Sequence, residues 1–135
     1  MSNTYKKFQT NKEAEQKGVV LDYGDGMCIR IARAGGSNIK FEKAVQSKMR
    51  KYELQSKHGL LEPEQMRTIF REVLAETVVL GWEGVTDENG ASMTFTKDNA
   101  IKLFTDLPDL MDDVLEQSRK VALFRSQIQE EESGN

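Results

Sequence analysis

The chain has 135 residues, of which 38% are hydrophobic and 30% are charged, and its formal net charge is -3. This length fits one domain whose core needs no covalent staple. The single cysteine, Cys28, excludes an intramolecular disulfide, and one Cys with one His, His58, cannot form a Cys/His zinc site. No apolar run approaches the roughly 20 residues that cross a bilayer, and the first residues lack the apolar core of a signal peptide. We therefore expect a soluble intracellular protein that binds no membrane.

Both ends of the chain are polar and aperiodic. Residues 1–17 carry lysines and glutamates without a period of 2 or 3.6, and the acidic segment 129–135 has the same character. Such segments bury too little apolar surface to order themselves. The sequence thus predicts a flexible N-terminal arm over 1–17, a single domain over 18–128 and a flexible acidic C-terminal tail over 129–135.

The domain begins with the pattern of a β-hairpin. Apolar and polar residues alternate over 19–23 and again over 27–31, and a turn with two aspartates and two glycines separates the two runs. Because side chains on a strand repeat every second residue, each run has one face that can be buried. The sequence predicts two antiparallel strands joined at 22–26.

A long helix follows the hairpin. Gly35-Gly36 ends the second strand, and Ser37 or Asn38 can cap the next helix through a side-chain oxygen. Apolar residues then recur every three or four positions, which is the helical period. We predict the first helix over about 38–58.

Three more helices are predicted further along the chain. Pro63 suits the first position of a helix that continues to Gly81, Thr96 can cap a short third helix, and Pro108 starts a longer fourth one that reaches Arg125.

Turn residues at 87–90 divide the segment between the second and third helices. This pattern predicts either a short second hairpin or an ordered loop. The fold class is therefore α+β, with a small antiparallel β-sheet packed against about four helices.

The residues offer no recognisable catalytic or ligand-binding set. Asp22 and Asp25 flank a glycine in a turn, where Asp bonds its own backbone, and 87–90 lacks the flanking ligands of a calcium loop. The glycines at 35–36 are not followed by the lysine of a phosphate loop, and His58 has no nucleophile to pair with. We expect no catalytic, metal-binding or cofactor-binding residues, and a protein that is not an enzyme.

Charge is distributed unevenly along the chain. Residues 38–58 contain six basic and two acidic residues, whereas 105–135 contain three basic and eight acidic ones. The basic helix is either a solvated face or a docking surface. Nucleic acid is disfavoured as its partner, because the pI is about 5.3, the basic residues are interleaved with an apolar stripe and the helix lacks stacked aromatics. Complementary patches register association, so self-association head to tail, or docking of a partner, is the alternative to a merely solvated face.

Several segments, in order and spacing, carry a resemblance to one family. They are GVVLDYGD at 18–25, IRIARAGGSN at 29–38, Phe41, AETVVLGWEGV at 75–85, LPDL at 107–110 and Phe124-Arg125. Together they span about 18–128, and they resemble the tail assembly chaperones of long-tailed (siphovirus-like) bacteriophages.

This resemblance implies a non-enzymatic protein that binds the long helical tape-measure protein, keeps it soluble and helps recruit the tail-tube protein. It implies a location in the host cell cytoplasm and absence from the mature virion. It also implies a longer product of the same gene, made by ribosomal slippage near the stop codon.

A protein that holds a long helical client needs aromatic anchors with a polar rim. The candidate interface residues are Phe41, Tyr52, Trp82, Phe95, Phe124, Lys48, Arg50 and Lys51. Two other functions remain open: a structural virion protein, such as a tail-tube or head-tail connector subunit, and a small phage regulator that binds DNA or a host protein through the basic helix.

Overall fold

The N-terminal hairpin forms as its alternating pattern predicts. The computed structural model describes residues 3–56 and 59–125. Strand β1 (Val19–Gly24) pairs antiparallel with β2 (Met27–Ile31). In the turn between them, the Asp22 carboxylate accepts a hydrogen bond from the backbone N–H of Gly24 at 2.9 Å, and Asp25 adopts a positive φ of 55°. The aspartates therefore act as turn residues, as expected.

A third strand completes the sheet at a place where the sequence predicted helix. Strand β3 (Val79–Glu83) pairs antiparallel with β2, so the strand order is β1-β2-β3. The predicted helix end at Gly81 is wrong, because the helix stops at Val78 and the chain is extended from Val79. There Val79 pairs with Ile31 and both side chains are buried. Long-range pairing with β2 thus overrides the local helical period.

Among the described residues, six named helices lie around this sheet. They are α1 (Thr4–Phe8), α2 (Lys12–Lys17), α3 (Ile39–Gln55), α4 (Pro63–Val73), α5 (Lys97–Asp106) and α6 (Pro108–Ser118), and a π-helical turn (Leu74–Val78) continues α4. The α+β class is confirmed, with two more helices than expected because α1 and α2 occupy the predicted flexible arm. His58 and the predicted tail over 129–135 lie outside the described residues.

The helix boundaries follow the predicted signals in part. The Thr96 hydroxyl accepts a hydrogen bond from the backbone N–H of Asn99 and caps α5, and Pro108 is the first residue of α6. The predicted fourth helix is interrupted after Ser118, and residues 121–125 are helical again. Between β3 and α5, the second hairpin is reduced to one bridge, Thr86 with Ser92, so this segment is the ordered-loop alternative.

Asn38 precedes α3 but does not cap it through its side chain. Its amide instead donates hydrogen bonds to the backbone oxygens of Arg33, at 2.9 Å, and Thr77, at 3.0 Å. Asn38 is 6% exposed, so its polar atoms need such partners. It therefore connects the end of the hairpin to the π-helical turn.

The core lies between the inner face of the sheet and the helices. Its buried members are Ile29, Ile31, Phe41, Ile69, Val73, Leu74, Val78, Val79, Phe104, Met111 and Val114. The sheet contributes alternate residues, and helices α3 to α6 contribute one stripe each, which leaves their remaining side chains for the surface.

A buried ion pair attaches α2 to the domain. Glu15 is 2% exposed, and its carboxylate accepts hydrogen bonds from the Arg33 guanidinium and, at 3.1 Å, from the Ser37 hydroxyl. Burial alone raises the pKa of Glu15, but the donors Arg33, Ser37 and Thr10 outweigh it and hold the pKa below its ordinary value of 4.5. The segment from Asn11 onward therefore belongs to the folded domain.

Replacing Glu15 with Gln is expected to destabilise the fold by about 1–3 kcal/mol near neutral pH, because Arg33 loses its charged partner. The folded-state pKa of Glu15 is depressed, so its contribution is present above pH 4.5 and is lost as the pH falls through the folded-state value. Thermal unfolding of both proteins between about pH 7 and pH 3 should show the difference shrink in acid. The exposed Glu13→Gln is the control, and an unchanging difference across this range would contradict the assignment.

Candidate protein-interaction surface

Two of the five predicted aromatic anchors lie inside the core. Phe124 is fully buried and Phe41 is 8% exposed. Phe41 faces inward because it belongs to the apolar stripe of α3. These two rings are not available as surface anchors in this fold. The prediction that Phe41 and Phe124 are interface residues is therefore corrected. Tyr52 is half-buried against the same core.

Trp82 and Phe95 form a pair that holds the loop after β3. The indole N–H of Trp82 donates a hydrogen bond to the backbone oxygen of Met93 at 2.7 Å. The Phe95 ring meets the indole edge to face, with ring centroids 5.1 Å apart and an interplanar angle of 79°. Such a pair stabilises the loop beyond the area it buries. Trp82 also borders the open outer face of the sheet, beside Leu80 and Cys28.

Lys48 holds α3 against neighbouring helices. Its Nζ lies 3.0 Å from a carboxylate oxygen of Glu72 and 3.0 Å from one of Glu76, and Lys97 also pairs with Glu76 at 2.6 Å. Burial lowers the pKa of Lys48, but the two carboxylates outweigh it and raise that pKa above its ordinary value. Burial raises the pKa of Glu76, but the contacts with Lys97 and Lys48 outweigh this effect and hold that pKa below its ordinary value. Lys48 therefore has a structural role here.

Arg50 and Lys51 belong to a different face of α3. We call this face the basic stripe, and it comprises Lys40, Lys43, Ser47, Arg50, Lys51 and Leu54. Successive members lie mostly three or four residues apart, on the side of the helix opposite Phe41, and all are exposed. Within the described part of the chain, none of its four cationic side chains forms an ion pair. Leu54 is 82% exposed, so the stripe ends in an apolar side chain.

The outer face of α6 has the opposite charge. We call it the acidic stripe, and it comprises Asp109, Asp112, Asp113 and Glu116, which follow the helical spacing i, i+3, i+4 and i+7. Helix α6 contains no lysine or arginine. The excess of acid over 105–135 is visible in the composition, and the helical spacing of these four acids is visible in the same sequence.

The four acids differ in how far the chain already satisfies them. The Tyr23 hydroxyl donates a hydrogen bond to Asp113 at 2.7 Å, and burial, followed by this acceptor, raises the pKa of Tyr23. Asp112 lies 3.8 Å from the Arg67 guanidinium. Asp109 and Glu116 have no ion-pair partner among residues 3–56 and 59–125. These two carboxylates are therefore free to meet an external cation.

The most exposed aromatic rings among the described residues lie on α1, within the predicted flexible arm. Tyr5 is 81% exposed and Phe8 is 70% exposed, and α1 has no buried residue. Because they are three residues apart, both rings project from one side of the helix. The polar composition of 1–17 did not indicate this pair. The sequence signal for α1 is Asn3, a residue type that favours helix N-caps, and its side chain accepts a hydrogen bond from the backbone N–H of Lys6.

The described surface offers neither a metal site nor a membrane span. Over 3–56 and 59–125, no group of three or more His, Cys, Asp or Glu side chains is arranged to hold a metal ion. In the same ranges, no helix has the length and apolar character needed to cross a membrane. In the turn at 87–90, the Asp87 carboxylate accepts hydrogen bonds from the backbone N–H groups of Asn89 and Ala91, so it acts as a turn residue.

The different environments of Lys48 and Lys51 predict different costs of substitution. Lys48→Met should destabilise the fold by about 1–2 kcal/mol, because two part-buried carboxylates lose a charge-assisted hydrogen bond. The exposed Lys51→Met should change the free energy of unfolding by less than about 0.5 kcal/mol. Urea unfolding measures both. Equal effects of the two substitutions would show that Lys48 does not hold α3 in place.

Comparison with known proteins indicates where the chain comes from. Residues 35–135 match the family described as YdaY prophage protein, and the match includes both the basic and the acidic stripe. No curated protein and no solved structure matches the chain. The matched region covers well over half of the chain, so the expectation of a phage protein is confirmed. The chain belongs to the YdaY prophage protein family.

Proposed function

We propose that this prophage protein is a tail assembly chaperone without catalytic activity. It binds the tape-measure protein, keeps it soluble in the host cytoplasm and helps recruit tail-tube subunits, and it is absent from the finished virion. The proposal combines the phage origin of the chain with the resemblance of 18–128 to tail assembly chaperones. The structural observation that supports it most is the exposed aromatic pair on α1.

Tyr5 and Phe8 are suited to a helical client. Single exposed apolar residues are common on protein surfaces, but α1 presents two rings on one side and buries nothing. An amphipathic client helix is recognised through apolar side chains at positions such as i, i+3 and i+4, and aromatic rings are strong anchors for these. Lys6 and Lys7 lie between the rings in sequence, and they project from the other side of α1, where they supply a charged rim. Tyr5 and Phe8 can therefore serve as the exposed anchors, whereas Phe41 and Phe124 are buried and cannot.

Tyr5→Ser combined with Phe8→Ser should abolish most client binding while leaving the fold intact, because neither ring contributes to the core. Co-expression with the tape-measure protein encoded in the same prophage tests this. The unaltered chain should keep that protein in the soluble fraction and co-purify with it, whereas the double variant should recover at least about 10-fold less.

The matched control is Val20→Ser combined with Ile39→Ser, which removes two other exposed apolar side chains from different elements. This control should retain the client. If the tape-measure protein stays insoluble beside the unaltered chain, or if the α1 variant holds it as well as the control does, the proposal fails.

Two further measurements separate the alternatives. Purified virions should lack the chain, whereas a tail-tube or head-tail connector subunit would be present in stoichiometric amounts. A regulator acting through the basic stripe would shift duplex DNA with a steep dependence on salt, and we expect no such shift.

A further inference from the structure

We propose that a second copy of this chain docks its basic stripe on the acidic stripe of the first, so that copies associate head to tail. This inference concerns the chain alone and is independent of what the client is. It rests on three features of the described surface: unsatisfied opposite charges, matched spacing, and the separation of the two stripes within one chain.

The charges of the two stripes are available for a partner. Lys43 and Arg50 on α3 are exposed, as are Asp109 and Glu116 on α6, and none of these four forms an ion pair within the described ranges. Lys48 and Asp113, in contrast, are already engaged inside the chain. The free charges of the two stripes therefore point outward, with basic groups on α3 and acidic groups on α6.

The spacing of the free charges is the same on both helices. Lys43 and Arg50 are seven residues apart, and so are Asp109 and Glu116. With a rise of about 1.5 Å per residue, each pair spans about 10.5 Å along one side of its helix. Two such helices laid antiparallel bring Lys43 to Glu116 and Arg50 to Asp109.

Within a single chain the two stripes do not meet. Helix α3 packs against α4, and Arg67 of α4 lies 3.8 Å from Asp112 of α6, so α4 lies between the two stripes. Each docking event therefore uses different surfaces on the two copies and leaves one free stripe on each. Such a heterologous contact continues into a ring or an open filament instead of stopping at a dimer.

The strength of this contact depends on salt. Exposed ion pairs are individually weak, and the distance over which charges act falls from about 10 Å at 0.1 M salt to about 3 Å at 1 M. Association should therefore require high protein concentration and low ionic strength. We expect weak association in which the size of the assembly increases with protein concentration.

Charge reversal tests the proposal. Variant A carries Lys43→Glu and Arg50→Glu, and variant B carries Asp109→Lys and Glu116→Lys. All four positions are exposed, so both variants should fold, which circular dichroism checks. Sedimentation velocity over a range of concentrations, in about 0.05 M and about 1 M NaCl, gives the mass.

The unaltered chain should exceed its monomer mass of 15.3 kDa at low salt, with a mass that rises with concentration, and should return to the monomer at high salt. Variants A and B alone should each associate at least about 10-fold more weakly. An equimolar mixture of A and B should recover association, because A then has an acidic α3 and B a basic α6. A chain with all four substitutions should recover it as well.

Three results would overturn the proposal: a monomer under all conditions, association that survives reversal of one stripe, or a mass that stops at the dimer. A monomeric chain that shifts duplex DNA, with the shift lost in variant A, would assign the basic stripe to nucleic acid instead. Because the assay contains only this chain, failure to bind a tape-measure protein would leave its outcome unchanged.

Discussion

The burial of the central strand is the constraint on which the rest of the structure depends. Ile29 and Ile31 are fully buried on the inner face of β2, which lies between β1 and β3 and pairs with both. A three-stranded sheet is stable only when an apolar layer covers one face. Helices α3 to α6 supply that layer through one stripe each. The faces of these helices that lie outside the layer carry the charges described above.

Polar interactions then connect the elements that the apolar core does not reach. Glu15 and Arg33 attach α2, Asn38 connects the hairpin to the π-helical turn, and Lys48 links α3 to α4. Each of these polar groups is buried or partly buried and has its hydrogen-bonding partners present. Its burial therefore costs little free energy, and the contact specifies one arrangement of the elements. The charges that remain, on the outer faces of α3 and α6, are not needed for the fold. This separation between structural and free charges distinguishes Lys48 from Arg50 and Lys51, which have the same character in the sequence.

The two proposals describe different surfaces of the same chain. The proposed client binding uses the rings of α1, and the proposed self-association uses the stripes of α3 and α6. A head-to-tail array repeats the α1 rings along its length, so one long client could engage many copies at once. Linking weak sites in this way raises the effective concentration of each site and gives tight overall binding without strong single contacts.

Local patterns in the sequence determined much of this protein. Alternation predicted the hairpin, the hydroxyl of Thr96 and the ring of Pro108 marked helix starts, and the opposite charges of α3 and α6 follow from composition alone. These signals depend on residues within one or two turns of each other. The fold class, which follows from the order of such elements, was predictable for the same reason.

The tertiary structure decided what depends on distant residues. Val79 becomes strand because it pairs with Ile31, which is 48 residues earlier in the chain, although its own neighbours favour a helix. Residues 12–17 are held by the contact of Glu15 with Arg33. The exposure of the candidate interface residues also depends on distant residues. An aromatic residue at helical spacing gives the same sequence pattern whether or not another element packs on its face. Phe41 and Phe124 were covered and Tyr5 and Phe8 were not, because burial is a property of the packed layers and not of the local pattern.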